Sequence, residues 1–468
     1  MKVLLINPPI RESYPPNCFP LGLAYIAAVL QKAGYDVQVL DINAYRYKFE
    51  DIKIMVNWDT FNVIGITGMV TQYAYIKKLI QFLKEYHPNI KIIVGGPIGS
   101  TVPKLMLEKT GTDICIVGEG EITIVELLSA IKNNKKLNSI DGLAFKKDNK
   151  IIFTKPRELI KDLDTIPFPT WDLFPVDIYV NYSVTGYDKN SRNMAVLTSR
   201  GCPFACSFCW DTFGKKVRFR SPGNVIEEFK ILKEKYNINR INPYDETFTV
   251  NKKRAIDICN LMIKEKINFK WDCGARVNCI DEELLLKLKE AGVDFILYGI
   301  ESGSQIILDE MNKKTTIEQA HKALQMTKKL GIEIVTPLII GFPSESKETI
   351  QESIDFFTKE NIYCGEAFFP TPHPGAPLYE YTMKKGLIED EEKYLETLGE
   401  FTNLHINLTN MSDEELICLK KNAEKKIFIS YFIKNLHKLP LKIIKQIQTL
   451  GFKRFVSNIK EYLNMVKG

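Results

Sequence analysis

Short apolar runs and longer amphipathic stretches alternate along the first third of the chain. The apolar runs span residues 2–7, 36–42, 63–68, 91–96 and 113–120. Stretches with a helical period separate them, the clearest at 21–35 and 71–87. Strands without a polar face are typical of a parallel sheet that helices cover on both sides. The pattern therefore predicts a doubly wound, flavodoxin-like α/β domain.

A second alternating series follows, and its six strands are predicted at 194–201, 240–246, 269–276, 295–302, 333–342 and 364–372. Helical patterns lie between them. Six βα units are two short of the eight that close a barrel, so the series predicts a partial (β/α)6 barrel. In such barrels the chemistry collects at the C-terminal ends of the strands.

The region between the two series has its own pattern. Residues 142–155 read as a hairpin that turns at Asp148 and Asn149, and the prolines and aromatic residues of 162–175 indicate a packed linker. The residues after the second series, rich in Lys, Glu, Ile and Leu, predict helices. Four regions are therefore expected, with boundaries at 1–141, 142–193, 194–375 and 376–468.

Composition and charge narrow the class of protein. The chain has 468 residues, of which 45% are hydrophobic and 26% charged, with a net charge of +6. These values are ordinary for a globular protein, and so mild a charge indicates no nucleic-acid partner. The opening apolar run is too short for a signal peptide, and no uncharged run approaches the roughly 18 residues of a membrane span. We therefore expect a cytoplasmic protein whose ten cysteines stay reduced.

Three cysteines, Cys202, Cys206 and Cys209, follow Gly201 at the end of the first strand of the second series. Thiolates bind soft metals, and three of them on one tight loop can face one iron–sulfur cluster with a metal position left open. A structural zinc site normally needs a second pair of ligands, and no second C-x2-C pair is present. Simple burial is the expectation for Cys259, Cys273, Cys279 and Cys364. The spacing favours an iron–sulfur cluster over both alternatives.

The spacing C-x3-C-x2-C, with Phe208 before the last cysteine, resembles the signature of the radical S-adenosylmethionine (SAM) enzymes. The resemblance implies that Cys202, Cys206 and Cys209 hold a 4Fe–4S cluster and that SAM chelates its open iron. It also implies that one electron, from a donor such as flavodoxin or ferredoxin, cleaves SAM to methionine and a 5′-deoxyadenosyl radical. The protein would then supply position and exclusion of water.

Further segments match the same family in order along the barrel. Residues 243–248 resemble its acidic segment, 273–276 carry an arginine suited to a carboxylate, 299–305 resemble the segment that faces ribose and methionine, and 338–343 resemble the adenine-contacting stretch. Pro337 stands where that stretch often has glycine. The resemblance implies SAM contacts by Phe208, Asp245, Glu246, Arg276, Glu301, Ser302, Ile339 and Gly341.

The first domain resembles that of the cobalamin-binding radical SAM subfamily. The matching segments are 7–9, 20–41, 94–97, 117–121 and, after the barrel, 371–379. Glycines at strand ends let backbone approach a large flat ligand, although a Gly-rich turn before a helix can equally hold a phosphate. The resemblance implies a cobalamin site formed by Asn7, Pro8, Pro9, Gly95, Gly96, Gly118 and Glu119. The histidine motif D-x-H-x-x-G is missing, so no histidine is expected below cobalt; the alternative is a domain that binds nothing.

The resemblance predicts a cobalamin-dependent radical SAM C-methyltransferase that acts on a small molecule or natural product. An enzyme of the same architecture that cyclises or rearranges its substrate is the first alternative. A methylthiotransferase without cobalamin is a second, but it calls for three more cluster cysteines where the first domain has only Cys18 and Cys115. A non-catalytic iron–sulfur or zinc protein is the third. No catalytic acid or base is assigned.

Overall fold

The computed structural model describes residues 1–12, 15–16, 18–181, 191–211, 213–399 and 402–435. The strands of its first sheet are β1 (Lys2–Asn7), β2 (Asp36–Asp41), β3 (Val63–Thr67), β4 (Lys91–Gly95), β5 (Ile114–Ile116), β6 (Leu143–Lys147) and β7 (Lys150–Phe153). The helices around it are α1 (Leu21–Lys32), α2 (Ile42–Tyr45), α3 (Phe49–Met55), α4 (Tyr73–Tyr86), α5 (Gly96–Thr101), α6 (Pro103–Lys109) and α7 (Gly120–Lys132).

The first five strands are parallel and lie in the order β2-β1-β3-β4-β5. Side chains of β1 alternate between two cores: Leu5 packs in the core that includes α1 and α7, whereas Leu4 and Ile6 pack in the core that includes α4. A strand buried on both faces must be apolar throughout, which is the pattern that predicted it. The doubly wound, flavodoxin-like domain is confirmed.

The hairpin of β6 and β7 belongs to this sheet. Strand β6 pairs antiparallel with β5, β7 pairs antiparallel with β6, and the turn residues Asp148 and Asn149 have φ of 50° and 59°. The predicted boundary after residue 141 therefore lies inside the sheet. Sequence pattern recognised the hairpin but could not tell which sheet edge it would pair with.

After α8 (Val176–Asn181) comes the second region, whose strands are β8 (Asn193–Val196), β9 (Ser199–Arg200), β10 (Arg218–Phe219), β11 (Arg240–Pro243), β12 (Lys270–Ala275), β13 (Val293–Tyr298) and β14 (Glu333–Val335). Its helices are α9 (Pro222–Tyr236), α10 (Lys252–Lys264), α11 (Glu282–Glu290), α12 (Gln305–Glu310), α13 (Ile317–Lys329) and α14 (Lys347–Lys359). The parallel sheet runs β14-β13-β12-β11-β8.

Three predicted strands of this region differ from the observed ones. The strand predicted at 333–342 is regular only over β14 and continues as single bridges at Leu338 and Ile339. The strand predicted at 194–201 divides into β8 and β9, and β9 pairs antiparallel with β10 to form a short stem. The strand predicted at 364–372 is replaced by a single bridge between Ile339 and Phe368. Pro370 and Pro372 have no N–H to donate to a ladder, which explains why pairing stops there.

Helices follow the barrel, as predicted: α15 (Pro377–Lys384), α16 (Glu391–Thr397) and α17 (Asp413–Lys434). Helix α16 packs on α4, where the Lys77 ammonium lies 2.7 Å from Glu392. Helix α17 packs on α14. The C-terminal region thus contacts helices of both regions. In the described residues, no helix is long and apolar enough to cross a membrane.

A buried ion-pair network joins the two regions. Glu119, which ends the loop between β5 and α7, accepts hydrogen bonds from Arg200 at 2.8 Å, from Arg218 at 2.8 and 2.9 Å, and from the backbone N–H of Ile160 at 2.7 Å. Arg200 also pairs with Glu121. Since Arg200 lies on β9 and Arg218 on β10, the network holds the carboxyl edge of the first sheet against the stem; we call it the junction.

We expect Glu119→Gln to lower the free energy of unfolding by about 3–5 kcal/mol, because the buried Arg218 loses its countercharge and the buried Arg200 keeps only Glu121. Glu126, which pairs with Arg157 and is 47% exposed, provides the matched control. Glu126→Gln is expected to cost at most about 1 kcal/mol. Urea unfolding of the full chain measures both. Equal losses in the two variants would contradict the role assigned to the junction.

Candidate active site at the cysteine loop

The three cysteines lie on the loop that the stem of β9 and β10 closes. Gly201 begins this loop with φ of +98°, and a Cβ at this position would lie 2.6 Å from the carbonyl oxygen of Lys216 and 2.8 Å from that of Gly214. Both contacts are with backbone, so a side chain there would force the stem apart. The glycine before the first cysteine is therefore required by close packing.

The three predicted cluster ligands share this loop. Cys206 is buried, Cys202 is half-buried and Cys209 is exposed. Surrounding protein, together with the neighbouring Cys206 and Cys202 thiols, raises the pKa of Cys209 to about 11. In the part of the chain that the structure describes, no three His, Cys, Asp or Glu side chains meet at the position of one metal ion. A 4Fe–4S cluster does not require three side chains to meet at one metal ion, because each cysteine binds a different iron.

Hydrogen bonds from neighbouring elements set the shape of the loop. The Ser207 N–H donates to the Met311 carbonyl at 2.9 Å, and the Leu378 N–H donates to the Ser207 carbonyl at 2.8 Å. Asn312 donates its side-chain amide to the Ala205 carbonyl at 2.6 Å. The end of α12 and the start of α15 therefore hold the backbone between the cysteines.

Arg276 follows β12 and lies against this loop rather than in an open cleft. It is 6% exposed, its Nη1 lies 3.4 Å from the Cys206 Sγ, and its guanidinium carbon lies 3.7 Å from the centre of the Phe204 ring. A second guanidinium nitrogen donates to the Lys313 carbonyl. The predicted cation is thus at the site, with a cysteine sulfur as its direct partner.

Glu301 ends the segment after β13 in a left-handed conformation, with φ of +72°. It is 6% exposed, and its carboxylate lies 2.8 Å from the Lys313 ammonium. That ammonium lies 5.5 Å from the centre of the Phe208 ring, and its charge offsets part of the rise in the pKa of Cys209. Sequence reasoning missed Lys313, whose only signal is a positive charge shortly after α12.

Three other predicted SAM contacts lie in different surroundings. Asp245 is buried and accepts hydrogen bonds from the Thr198 N–H, the Thr198 hydroxyl and the Ser199 hydroxyl, at 2.6–2.7 Å. Ser302 is buried, and its hydroxyl lies 3.1 Å from that of Ser353. These two residues therefore hold strand ends in place, and their contact with SAM stays a prediction. Glu246 is exposed and lies shortly after β11.

The predicted adenine-contacting stretch forms an apolar wall beside the loop. Ile339 and Phe208 pack against one small core, and the Phe208 and Phe342 rings meet edge to face at 6.1 Å. The backbone N–H of Ile339 donates to Glu301, and that of Gly341 donates to the Glu345 carboxylate at 3.1 Å. Contact between this wall and a ligand would therefore be made by side chains and carbonyl groups.

The predicted cobalamin glycines, Gly95, Gly96 and Gly118, lie at the carboxyl edge of the first sheet, which we call the glycine edge. Gly96 and Gly118 have φ of +71° and +86°, and Gly95 lies between β4 and α5. A Cβ on Gly118 would meet no atom within 4 Å, so the space above it is open. A Cβ on Gly96 would instead lie 2.6 Å from the Thr67 hydroxyl, so packing within the protein already requires glycine there. The open backbone at Gly118 fits the approach of a large flat ligand.

The other predicted cobalamin residues have hydrogen-bond partners within the protein, and their contact with cobalamin stays a prediction. Asn7 is buried and donates to Asp41 at 2.9 Å and to the Tyr179 hydroxyl at 3.0 Å. The carbonyls of Pro8 and Pro9, both buried, accept from the Gln72 amide. The carboxylate of Glu119 binds Arg200 and Arg218 in the junction. The sequence pattern singled out these positions, but it could not predict where their side chains point.

The glycine edge and the cysteine loop lie beside each other. A Cβ on Gly375 would lie 2.8 Å from the Trp210 ring and 3.2 Å from the Thr101 side chain. Trp210 directly follows Cys209, and Thr101 ends the helix that begins at Gly96. On another side, the Cys18 sulfur, in the loop after β1, lies 4.0 Å from the Tyr244 hydroxyl after β11.

Comparison with known proteins gives two family matches. The model described as the radical SAM superfamily matches residues 196–357, and the model described as the B12 binding domain matches residues 9–128. The first match includes the cysteine loop, and the second includes the edge formed by Gly95, Gly96 and Gly118.

Among relatives, an uncharacterized methyltransferase of Pyrococcus horikoshii is 36% identical over 396 residues, or 83% of this chain and 84% of that protein. The anaerobic magnesium-protoporphyrin IX monomethyl ester cyclase of Rubrivivax gelatinosus is 29% identical over 408 residues, or 84% and 72%. A solved structure of the cobalamin-dependent S-adenosylmethionine radical enzyme OxsB, with aqua-cobalamin and S-adenosylmethionine bound, covers 100% of this chain and 75% of its own, with a TM-score of 0.71 and 20% identity. That likeness shows the fold.

Glu345 makes the apolar wall sensitive to pH. Burial raises its pKa from 4.5 to about 7, against the opposing effect of hydrogen bonds from Thr349, Gly341 and Phe342. A carboxyl group with a raised pKa stabilises the fold below its unfolded pKa, and this stabilisation is lost as the pH rises through the folded pKa. From pH 4.5 to above 7, wild type should lose about 3 kcal/mol relative to Glu345→Gln, as measured by urea unfolding. Glu352→Gln, at an exposed position of α14, serves as control; a constant difference across this range would contradict the prediction.

Proposed function

Because this chain belongs to the radical SAM enzymes that carry a cobalamin-binding domain, we propose that it is a C-methyltransferase acting on a small molecule. The assignment combines a 36% identical relative named as a methyltransferase with the arrangement of the site. Its cofactors are a 4Fe–4S cluster, SAM and cobalamin. The cluster supplies an electron to SAM, and cobalamin supplies a carrier for the methyl group.

The contact between Trp210, Gly375 and Thr101 carries this proposal. A methyl carrier and a substrate radical must come within bonding distance of each other, so their two sites have to share one cavity. Trp210 lies next to the last cysteine, whereas Thr101 lies on the helix that starts at the glycine edge. Their packing around Gly375 supports a shared cavity between the two carboxyl edges.

The site residues are assigned on the same basis. Cys202, Cys206 and Cys209 would hold the cluster, while Gly95, Gly96 and Gly118 would line the cobalamin edge. SAM would lie on the apolar wall, with Phe208, Ile339 and Gly341 beside it and the pair of Glu301 and Lys313 available to its charged amino-acid end.

A partner and a compartment follow from the cluster chemistry. Two electrons per turnover would have to enter from outside, one for the cleavage of SAM and one to return cobalamin to the state that accepts a methyl group. We therefore assign an electron donor such as flavodoxin or ferredoxin to the enzyme. Free thiols persist where glutathione and thioredoxin keep them reduced, so we place the protein in the cytoplasm.

Cyclisation is the second candidate, because the Rubrivivax relative is named as a cyclase at 29% identity. The two reactions differ in the fate of the methyl group of SAM. A methyltransferase leaves it on the product, whereas a cyclase leaves the product without it. The label is therefore followed in the test below.

The protein, loaded anaerobically with iron, sulfide and cobalamin, is reduced and incubated with methyl-deuterated SAM and a small-molecule extract. We expect 5′-deoxyadenosine and a product in which a deuterated methyl group replaces a hydrogen, detected by mass spectrometry. The triple variant Cys202→Ala, Cys206→Ala, Cys209→Ala should form neither and should lose its roughly four irons. Cys279→Ala, a change at a cysteine close to Cys202, should retain both. Deoxyadenosine with a converted but unlabelled product would favour cyclisation instead.

The pair of Glu301 and Lys313 is tested by SAM affinity. Hydrogen bonds to charged groups contribute about 1.5–3 kcal/mol, so Lys313→Met is expected to weaken SAM binding tenfold or more. Equilibrium binding to the cluster-loaded protein measures it. Lys314→Met, the same change one position along, provides the control. Unchanged affinity in Lys313→Met would remove the pair from the SAM site.

A further inference from the structure

We infer that Arg276 is a positioning residue of the cluster, and that its hydrogen bond to Cys206 raises the reduction potential of the iron–sulfur centre. The inference rests on the proposed function, since it requires the cluster to bind at this loop. It assigns to Arg276 a role different from the SAM-carboxylate contact that the family resemblance implies.

The first argument is the direction of the guanidinium. Nη1 points at the Cys206 Sγ, 3.4 Å away, while Nε lies 3.4 Å from the side-chain oxygen of Asn278. Another nitrogen donates to the Lys313 carbonyl. Three different acceptors on three sides fix the plane of the group, so it cannot turn to a ligand without giving up one of them.

The second argument is packing. The guanidinium carbon lies 3.7 Å from the centre of the Phe204 ring, and Phe204 stands between Cys202 and Cys206 in the loop. Cation–π contact at this distance holds Arg276 to the loop itself. The residue therefore moves with the cysteines, as a group that tunes their metal centre would have to.

The third argument is charge. Arg276 is 6% exposed, and its hydrogen bonds go to a thiol, an amide oxygen and a carbonyl. Within the residues that the structure describes, no carboxylate forms an ion pair with it. A buried cation needs a countercharge, and the nearest candidate is the set of three thiolates that hold a cluster.

These contacts have a predictable effect on the reduction potential of the cluster. Reduction adds one negative charge to the cluster, and a nearby cation that donates to a ligand sulfur stabilises the more negative form. Arg276 should therefore raise the potential at which the centre accepts its electron. The net value of one hydrogen bond to a charged group corresponds to a roughly tenfold change in the ratio of reduced to oxidised cluster, or 59 mV for one electron.

The test is a redox titration of the full chain, loaded with iron and sulfide and followed by the electron paramagnetic resonance signal of the reduced cluster. At a fixed potential, the ratio of reduced to oxidised cluster in Arg276→Met should be about tenfold lower than in wild type, with the same iron content and the same SAM affinity. Lys215→Met is the matched control: its ammonium binds the Phe204 carbonyl of the same loop at 2.9 Å but touches no sulfur. Its ratio should stay within about twofold of wild type, because an exposed charge is screened.

A second measurement decides the matter if Arg276→Met takes up no cluster. Wild-type protein labelled with ¹⁵N in the arginine guanidinium groups should show nitrogen coupling to the spin of the reduced cluster, and Arg276→Lys should lose it. Missing coupling in wild type, or an unchanged potential with weakened SAM binding in Arg276→Met, would overturn the inference. Failure of the wild-type chain to take up any cluster would refute the proposed function as well.

Discussion

One buried carboxylate connects the two sheets. Glu119 receives both arginines of the stem that closes the cysteine loop, and it does so from the loop that also carries Gly118. This side chain therefore links the glycine edge directly to the stem of the cysteine loop, beside an apolar core that runs through both regions. Buried charges tolerate few alternative partners, so this junction specifies geometry more sharply than an apolar contact of the same size.

Local pattern was enough to predict most of the fold. Strands buried on both faces leave an uninterrupted apolar signal, and five of them in the first sheet, together with β11 to β13 in the second, follow it closely. The exceptions have physical causes that extend beyond the local pattern. The split between β8 and β9 depends on pairing with β10, almost 20 residues later, and the loss of the last predicted strand follows from prolines whose effect depends on which N–H the ladder needs.

The residues of the candidate site also differ in how far local sequence pattern could predict them. Cys202, Cys206 and Cys209 are recognisable because all three lie on one tight loop, so their spacing already contains the geometry. Lys313 and Arg276 reach the loop from other elements. Spacing along the chain predicts neither the contact of Lys313 with Glu301 nor that of Arg276 with Cys206. Asn7 and Asp245 show the converse: motif positions whose side chains turn inward, because a strand end has polar groups of its own to satisfy.

The hairpin of β6 and β7 has a consequence for any attempt to isolate the first domain. It covers β5, a strand of three residues that would otherwise present unpaired backbone groups at the rim of the sheet. Its inward side chains, Leu143 and Phe145, complete the core on that side. A fragment ending near residue 141 would thus expose the unpaired edge of β5 and part of the apolar core, and would aggregate. A fragment extended past Phe153 would keep the rim sealed, though it would still carry Glu119 without its two arginines.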